Sequence, residues 1–145
     1  MSARKTTRRT GRSTFTRTIG VAVTSMALVL GFHTQAMAYD ATMRTGDAFG
    51  KITGYSGKGY WTEYGDVVKI CDIKADGYAV RMHVFLDEPY GAKVYSFYVG
   101  GKGSCKERRR SNGYNLPDNR WIGFLFCRYK AGHDSECKAY RFYNG

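Results

Sequence analysis

Asp66-Val-Val-Lys-Ile-Cys-Asp-Ile-Lys-Ala-Asp-Gly-Tyr-Ala-Val-Arg-Met-His-Val-Phe-Leu86 carries the clearest structural signal in the chain. Val80, Met82, Val84 and Leu86 alternate with Arg81, His83 and Phe85, a period of two that puts four apolar side chains on one face of a strand. Asp66–Ile73 is a second β-branched run, and Ala75-Asp76-Gly77 between them is turn chemistry. The stretch therefore predicts a hairpin.

Outward from it the same language continues. Lys93–Val99 and the strongly apolar Trp121–Tyr129 read as strands, the latter central and covered on both faces. Ala131–Ser135 reads as a turn and Glu136–Tyr143 as the last strand. Upstream, Asp47–Thr53 reads as a short first strand and Tyr55-Ser-Gly-Lys-Gly59 as a turn. Asp87-Glu-Pro-Tyr-Gly91 is a loop. Gly100–Asn119 is the longest loop, broken by a short strand near Tyr114–Leu116. No dozen-residue window has helical periodicity. Six to eight short strands predict an all-β fold, an antiparallel sandwich or small barrel.

The first 38 residues read differently. Arg4, Lys5, Arg8, Arg9, Arg12 and Arg17 precede an apolar run, Ile19–Phe32, and then Ala36-Met37-Ala38. This is a secretory signal, cleaved after Ala38 and too short to remain as a span. The expected mature chain is Tyr39–Gly145, a single monomeric extracellular domain of 107 residues with no stable membrane insertion. Its 17 Lys and Arg face 12 Asp and Glu, so the excess charge is about +5, not the +11 of the whole chain. All four cysteines, Cys71, Cys105, Cys127 and Cys137, lie in it, and an even count in an oxidising compartment predicts two bridges. Cys127 with Cys137, facing across the last hairpin, is the entropically cheapest closure and leaves Cys71 for Cys105. By chain entropy these loops contribute on the order of 3 and 4 kcal/mol.

Chemistry-bearing patterns are sparse. No C-x-x-C, closely spaced zinc pair or G-x-S-x-G is written, and Asp72-x-x-x-Asp76-Gly77 lacks the ligand density of a calcium loop. No metal and no cofactor is expected. His83 or His133 with Glu63 or Glu88 would supply an acid and a base, but no spacing links them. The distinctive surface feature is basic: Lys102, Lys106, Arg108, Arg109 and Arg110, a local field for an anionic surface, a glycan or an acidic protein. Trp61, expected partly outside, would add a stacking surface to that partner-binding set, while Trp121 is expected inside.

Ile70-Cys-Asp-Ile-Lys-Ala-Asp-Gly-Tyr-Ala-Val80 resembles a D-x-x-A-D-G-[YH]-x-[AV] stretch in small secreted proteins of actinomycetes, Streptomyces in particular. Tyr39-Asp40-Ala41, Gly46-Asp47 and the late pair Cys127…Cys137 extend the likeness. It implies an exported, β-sandwich-like domain and transfers no catalytic residue. The Arg108–Arg110 run departs from that group. Taken together, the residues point to a non-enzymatic extracellular binding protein. The alternatives are a secreted ribonuclease-type hydrolase or toxin, or an inhibitor of a secreted enzyme.

Overall fold

Residues 66–86 form two strands, as their pattern requires, but the two do not pair. The computed structural model describes residues 39–48 and 54–145, so the predicted export signal, 1–38, lies outside the described residues. Strands β3 (Val67–Asp72) and β4 (Ala79–Leu86) belong to different sheets. Asp76-Gly77 is a crossover between sheets, not a hairpin turn. The reason is packing. Val68 and Ile70 from β3 meet Val80, Met82 and Val84 from β4 face to face, all fully buried. An alternating pattern fixes which face is buried and leaves open which strand lies alongside.

The first sheet orders its strands β1-β2-β3-β6, with β1 (Ala41–Arg44), β2 (Gly57–Thr62) and β6 (Cys105–Arg108). The second runs β5-β4-β7-β8, with β5 (Lys93–Gly100), β7 (Arg120–Lys130) and β8 (His133–Asn144). All neighbours are antiparallel. The predicted all-β class and both disulfides, Cys71–Cys105 and Cys127–Cys137, are present, with eight strands among the described residues where the sequence predicts six to eight. Among the described residues no helix is long and apolar enough to cross a membrane.

Several local readings are corrected. Gly57 and Gly59 open β2 and do not form a turn. A Cβ on Gly57 would lie 2.7 Å from both Phe126 Cζ and Val80 Cγ1, so glycine there lets one sheet press on the other. Asp47 and Ala48 sit in a 3₁₀ turn (Gly46–Ala48); the rest of the predicted first strand, 49–53, lies outside the described residues. The long loop holds β6 and a 3₁₀ turn at Arg110–Asn112, with no strand at Tyr114–Leu116. The last hairpin turns on two residues, Ala131 (φ 49°) and Gly132 (φ 92°), tighter than the Ala131–Ser135 turn read from sequence, so His133 already stands in β8. Glu136 (φ 47°) is the extra residue of a bulge that lets Cys137 face Cys127.

The two tryptophans are exchanged relative to expectation. Trp61 is 1% exposed, packed against Phe124 with ring centroids 5.4 Å apart. Trp121 begins β7 on the face turned away from the core and is 43% exposed.

Polar clamps hold the crossovers. Buried Asp72 accepts the N–H groups of Lys74 (3.1 Å) and Gly101 (2.8 Å), tying the β3–β4 and β5–β6 connections together. Ser56 shares its hydroxyl proton between Asp47 Oδ2 (2.5 Å) and Asp76 Oδ2 (2.8 Å), and Arg128 donates to Asp76 (2.9 Å) and Glu136. Burial pushes the Asp47 carboxyl up, but hydrogen bonds from Ser56, Thr45 and the Ser56 amide outweigh it and hold the group below its ordinary 3.8. Asp76 is likewise held down, against burial, by Ser56, the Tyr78 N–H and Arg128. With folded values depressed, the stabilisation is present above the unfolded value and lost as pH falls through the folded ones. Urea midpoints are therefore expected to be level from pH 7 to 5 and to drop below about pH 4. Ser56→Ala should lower the midpoint at neutral pH and shrink the acid loss, because carboxyls that are less depressed have less stabilisation to lose; an acid loss of unchanged size would refute the assignment.

Candidate interaction face

The second sheet has two dissimilar faces. Its inner face is core. Along its outer face the alternation of β4, β5, β7 and β8 sets Arg81, His83, Phe85, Tyr98, Leu125, Cys127, Trp121, Arg141 and Tyr143. Phe85, Leu125 and Cys127 form a small second core there, with Tyr90 of the β4–β5 loop over Phe85 at 6.3 Å. That loop lies directly on Gly123: a Cβ at this position would come within 2.5 Å of the Glu88 and Pro89 backbone. The middle of β7 is thus covered on both sides, as its sequence suggested.

Around this covered centre the face is open and aromatic. Of the seven exposed large apolar residues among those described, five stand on it or at its rim: Tyr90 (73%), Val94, Tyr98 (53%), Trp121 and Tyr143 (46%). At one end Trp121 meets Tyr143 edge-on at 5.4 Å. The Arg141 guanidinium stands 4.6 Å from the Trp121 ring and donates through Nε to the Asp87 carbonyl at 2.5 Å. The Asp87 carboxylate is already engaged by both Nε and Nη2 of Arg120 (2.7 Å each), which holds its pKa down. Arg141 makes no salt bridge among the described residues, though its charge helps hold the nearby Asp87 carboxyl down, and its guanidinium stands oriented on the aromatic corner.

At the other end Arg81 lies 3.4 Å from the Tyr129 ring centroid and 5.9 Å from that of Tyr98. Its Nη1 is 3.5 Å from Asp134 Oδ1, and Asp134 Oδ2 accepts from His83 Nε2 at 2.8 Å. His83 thus finds its carboxylate in Asp134, fifty-one residues away, and not in Glu63 or Glu88. The imidazole is closed off: Nδ1 is buried with no partner, while Nε2 is held by Asp134. Glu63 instead accepts the Gly145 N–H, and His133 stands exposed at the start of β8.

The basic stretch is dispersed. Arg110 donates to Asp66 and Asp118 (each 2.8 Å), which holds its own pKa up. Arg109 is paired with Glu107. Arg108 points inward at the sandwich edge, 5.4 Å from Phe97 and 4.7 Å from Tyr114, where its stem seals the core. Arg109 and Arg110 also line a groove of about 510 Å³ beneath Tyr64. Lys102 and Lys106 are exposed, with Lys106 5.8 Å from the Tyr98 ring. Trp61, buried in the core, is not available to a partner at all. Of the sequence-derived binding set Lys102, Lys106 and Arg108 form no salt bridge among the described residues, and of these only the two lysines are exposed. The residues missed were Trp121, Tyr143 and Arg141, whose i, i+2 spacing in β8 opposite the first residues of β7 was the available signal.

Comparison with protein-family models, with curated proteins and with solved structures gives no match for this chain.

Proposed function

We propose that the chain is an exported interaction protein of the small actinomycete type. Its signal is removed after Ala38, and its disulfide-locked domain recognises an anionic extracellular partner through the outer face of the second sheet. The observation that carries this reading is the gathering of exposed aromatics around Arg141 on that face. Trp, Tyr and Arg are the side chains that concentrate binding energy at interfaces. The exposed, oriented guanidinium and an excess charge of about +5 favour an anionic partner. The reading assigns no catalytic step.

Titrating the mature protein with heparin and with polygalacturonate, followed by isothermal calorimetry, tests it. Trp121→Ala and Arg141→Ala are expected to weaken binding at least tenfold, because the corner they form with Tyr143 is one unit. Arg109→Ser, at a residue already paired, should change it little. If neither polymer binds, or if Arg109→Ser abolishes binding while Trp121→Ala does not, the assignment to this face fails.

A hydrolytic role has one observation in its favour, the His83–Asp134 pair beside Arg81. Against it stands the burial of Nδ1, which leaves the imidazole no path to a substrate proton. Incubation with RNA decides: cleavage lost in His83→Ala would replace the binding reading.

A further inference from the structure

We infer that the outer face of the second sheet holds a zinc site that exists only when the Cys127–Cys137 disulfide is reduced. One imidazole nitrogen of His83, the Cys127 sulfur and a carboxylate oxygen of Asp134 all lie within 4.8 Å of one another. A bond joins Cys137 to Cys127, so the second sulfur is adjacent to the same point. The His83 side chain is 9% exposed and turns its Nε2 to Asp134, so the nitrogen that faces the carboxylate is the one a metal would take. Four donors of the kinds zinc takes in structural sites, two thiolates, an imidazole and a carboxylate, therefore converge from β4, β7 and β8.

The disulfide and the metal are alternative occupants. A disulfide sulfur is a poor ligand, so the oxidised protein offers only His83 and Asp134. Two electrons entering the Sγ–Sγ bond release two thiols. With a phosphine as reductant, the phosphorus becomes a phosphine oxide, its oxygen coming from water. Zinc then binds both sulfurs and displaces their two protons. Cys137 is exposed and Cys127 buried, so Cys137 is the sulfur a reductant reaches. Tetrahedral zinc holds its ligands at about 2.0–2.3 Å, hence about 3.3–3.8 Å from one another. The donors need to draw together by about 1 Å, and the His83–Asp134 pair to open slightly from 2.8 Å. The rigid neighbours Leu125 and Phe85 keep water from the far side.

The other disulfide has no such company: among the described residues the three-donor group occurs only at Cys127. The test uses the mature chain with Cys71→Ser and Cys105→Ser, reduced with a phosphine, with folding checked by near-ultraviolet circular dichroism. Cobalt(II) serves as the probe. The expected result is one equivalent bound, with thiolate charge-transfer bands and the intense visible bands of a tetrahedral centre, bleached by one equivalent of zinc. The oxidised protein should show neither, and His83→Ala or Asp134→Ala should weaken binding at least tenfold. If the double serine variant does not fold, Cys137→Ser, which frees the Cys127 thiol with the other disulfide intact, is compared without reductant with Cys127→Ser/Cys137→Ser: cobalt binding with a thiolate band is expected in the first and not in the second, and no binding in the first overturns the inference. Absence of tetrahedral cobalt in a folded reduced chain, or binding unaffected by both His83→Ala and Asp134→Ala, overturns the inference.

Discussion

Asp66→Ala is expected to destabilise the protein by about 3–5 kcal/mol, a large part of the roughly 5–15 kcal/mol a domain of this kind holds in reserve. Asp66 is fully buried, yet it lies in the turn between β2 and β3. Its carboxylate accepts from Arg110 Nε at 2.8 Å, from the Leu116 N–H at 3.0 Å and from Asn144 Nδ2 at 3.2 Å. Three segments distant in sequence thus converge on one side chain: a hairpin turn, the connection into β7 and the end of β8. Alanine would leave the Leu116 amide buried without an acceptor, and each such orphan costs about 1–3 kcal/mol. It would also place a side chain without a local hydrogen bond at φ 52°. Asp66→Asn keeps the tolerance for that backbone and one acceptor, so its loss should be roughly half. Urea unfolding with an unchanged m-value checks both. A loss under about 1 kcal/mol for the alanine variant would show that the carboxylate is not the hub its contacts imply.

That result also bears on the basic stretch. Arg108, Arg109 and Arg110 read as a surface field because charge is visible in sequence and its partners are not. Asp66 lies forty-four residues before Arg110, and nothing local to either announces the pair. The same holds for His83 and Asp134. Strand patterns were legible where burial is one-sided or complete, in β4 and β7, because side-chain alternation is a property of the strand alone. Pairing was not, since a hairpin and a crossover bury the same face. The Asp72…Asp76-Gly77 motif shows the difference. Its residues are turn formers, as read, but Asp72 clamps two intersheet crossovers and Asp76 joins the Ser56 and Arg128 network. Glycine misled for a related reason. Gly57 and Gly59 need no unusual backbone; they are small because Phe126, Val80 and Met82 come up against them from the other sheet. The disulfides were readable, since Cys127 and Cys137 flank a tight hairpin and the remaining pair follows.

The exchange of the two tryptophans gives the sharpest separation of folding from recognition. Trp61 fills the centre of the sandwich among Met43, Val68 and Phe124. Trp61→Ala removes a fully buried indole and opens a cavity that two facing sheets cannot close, so about 3–5 kcal/mol should be lost. Trp121→Ala removes a half-exposed ring whose contacts are Tyr143 and Arg141, and should cost no more than about 1 kcal/mol. For polyanion binding the order reverses: Trp121→Ala should be the damaging change, while Trp61→Phe, which retains most of the buried area, should bind as the wild type does. Acrylamide quenching reports the placement directly. Trp121→Phe should leave only the shielded emission of Trp61, whereas Trp61→Phe should leave only a readily quenched signal. Equal quenching of the two single-tryptophan proteins, or equal destabilisation by the two alanine substitutions, would mean that Trp121 is a core residue, and the outer face would then lose its anchor.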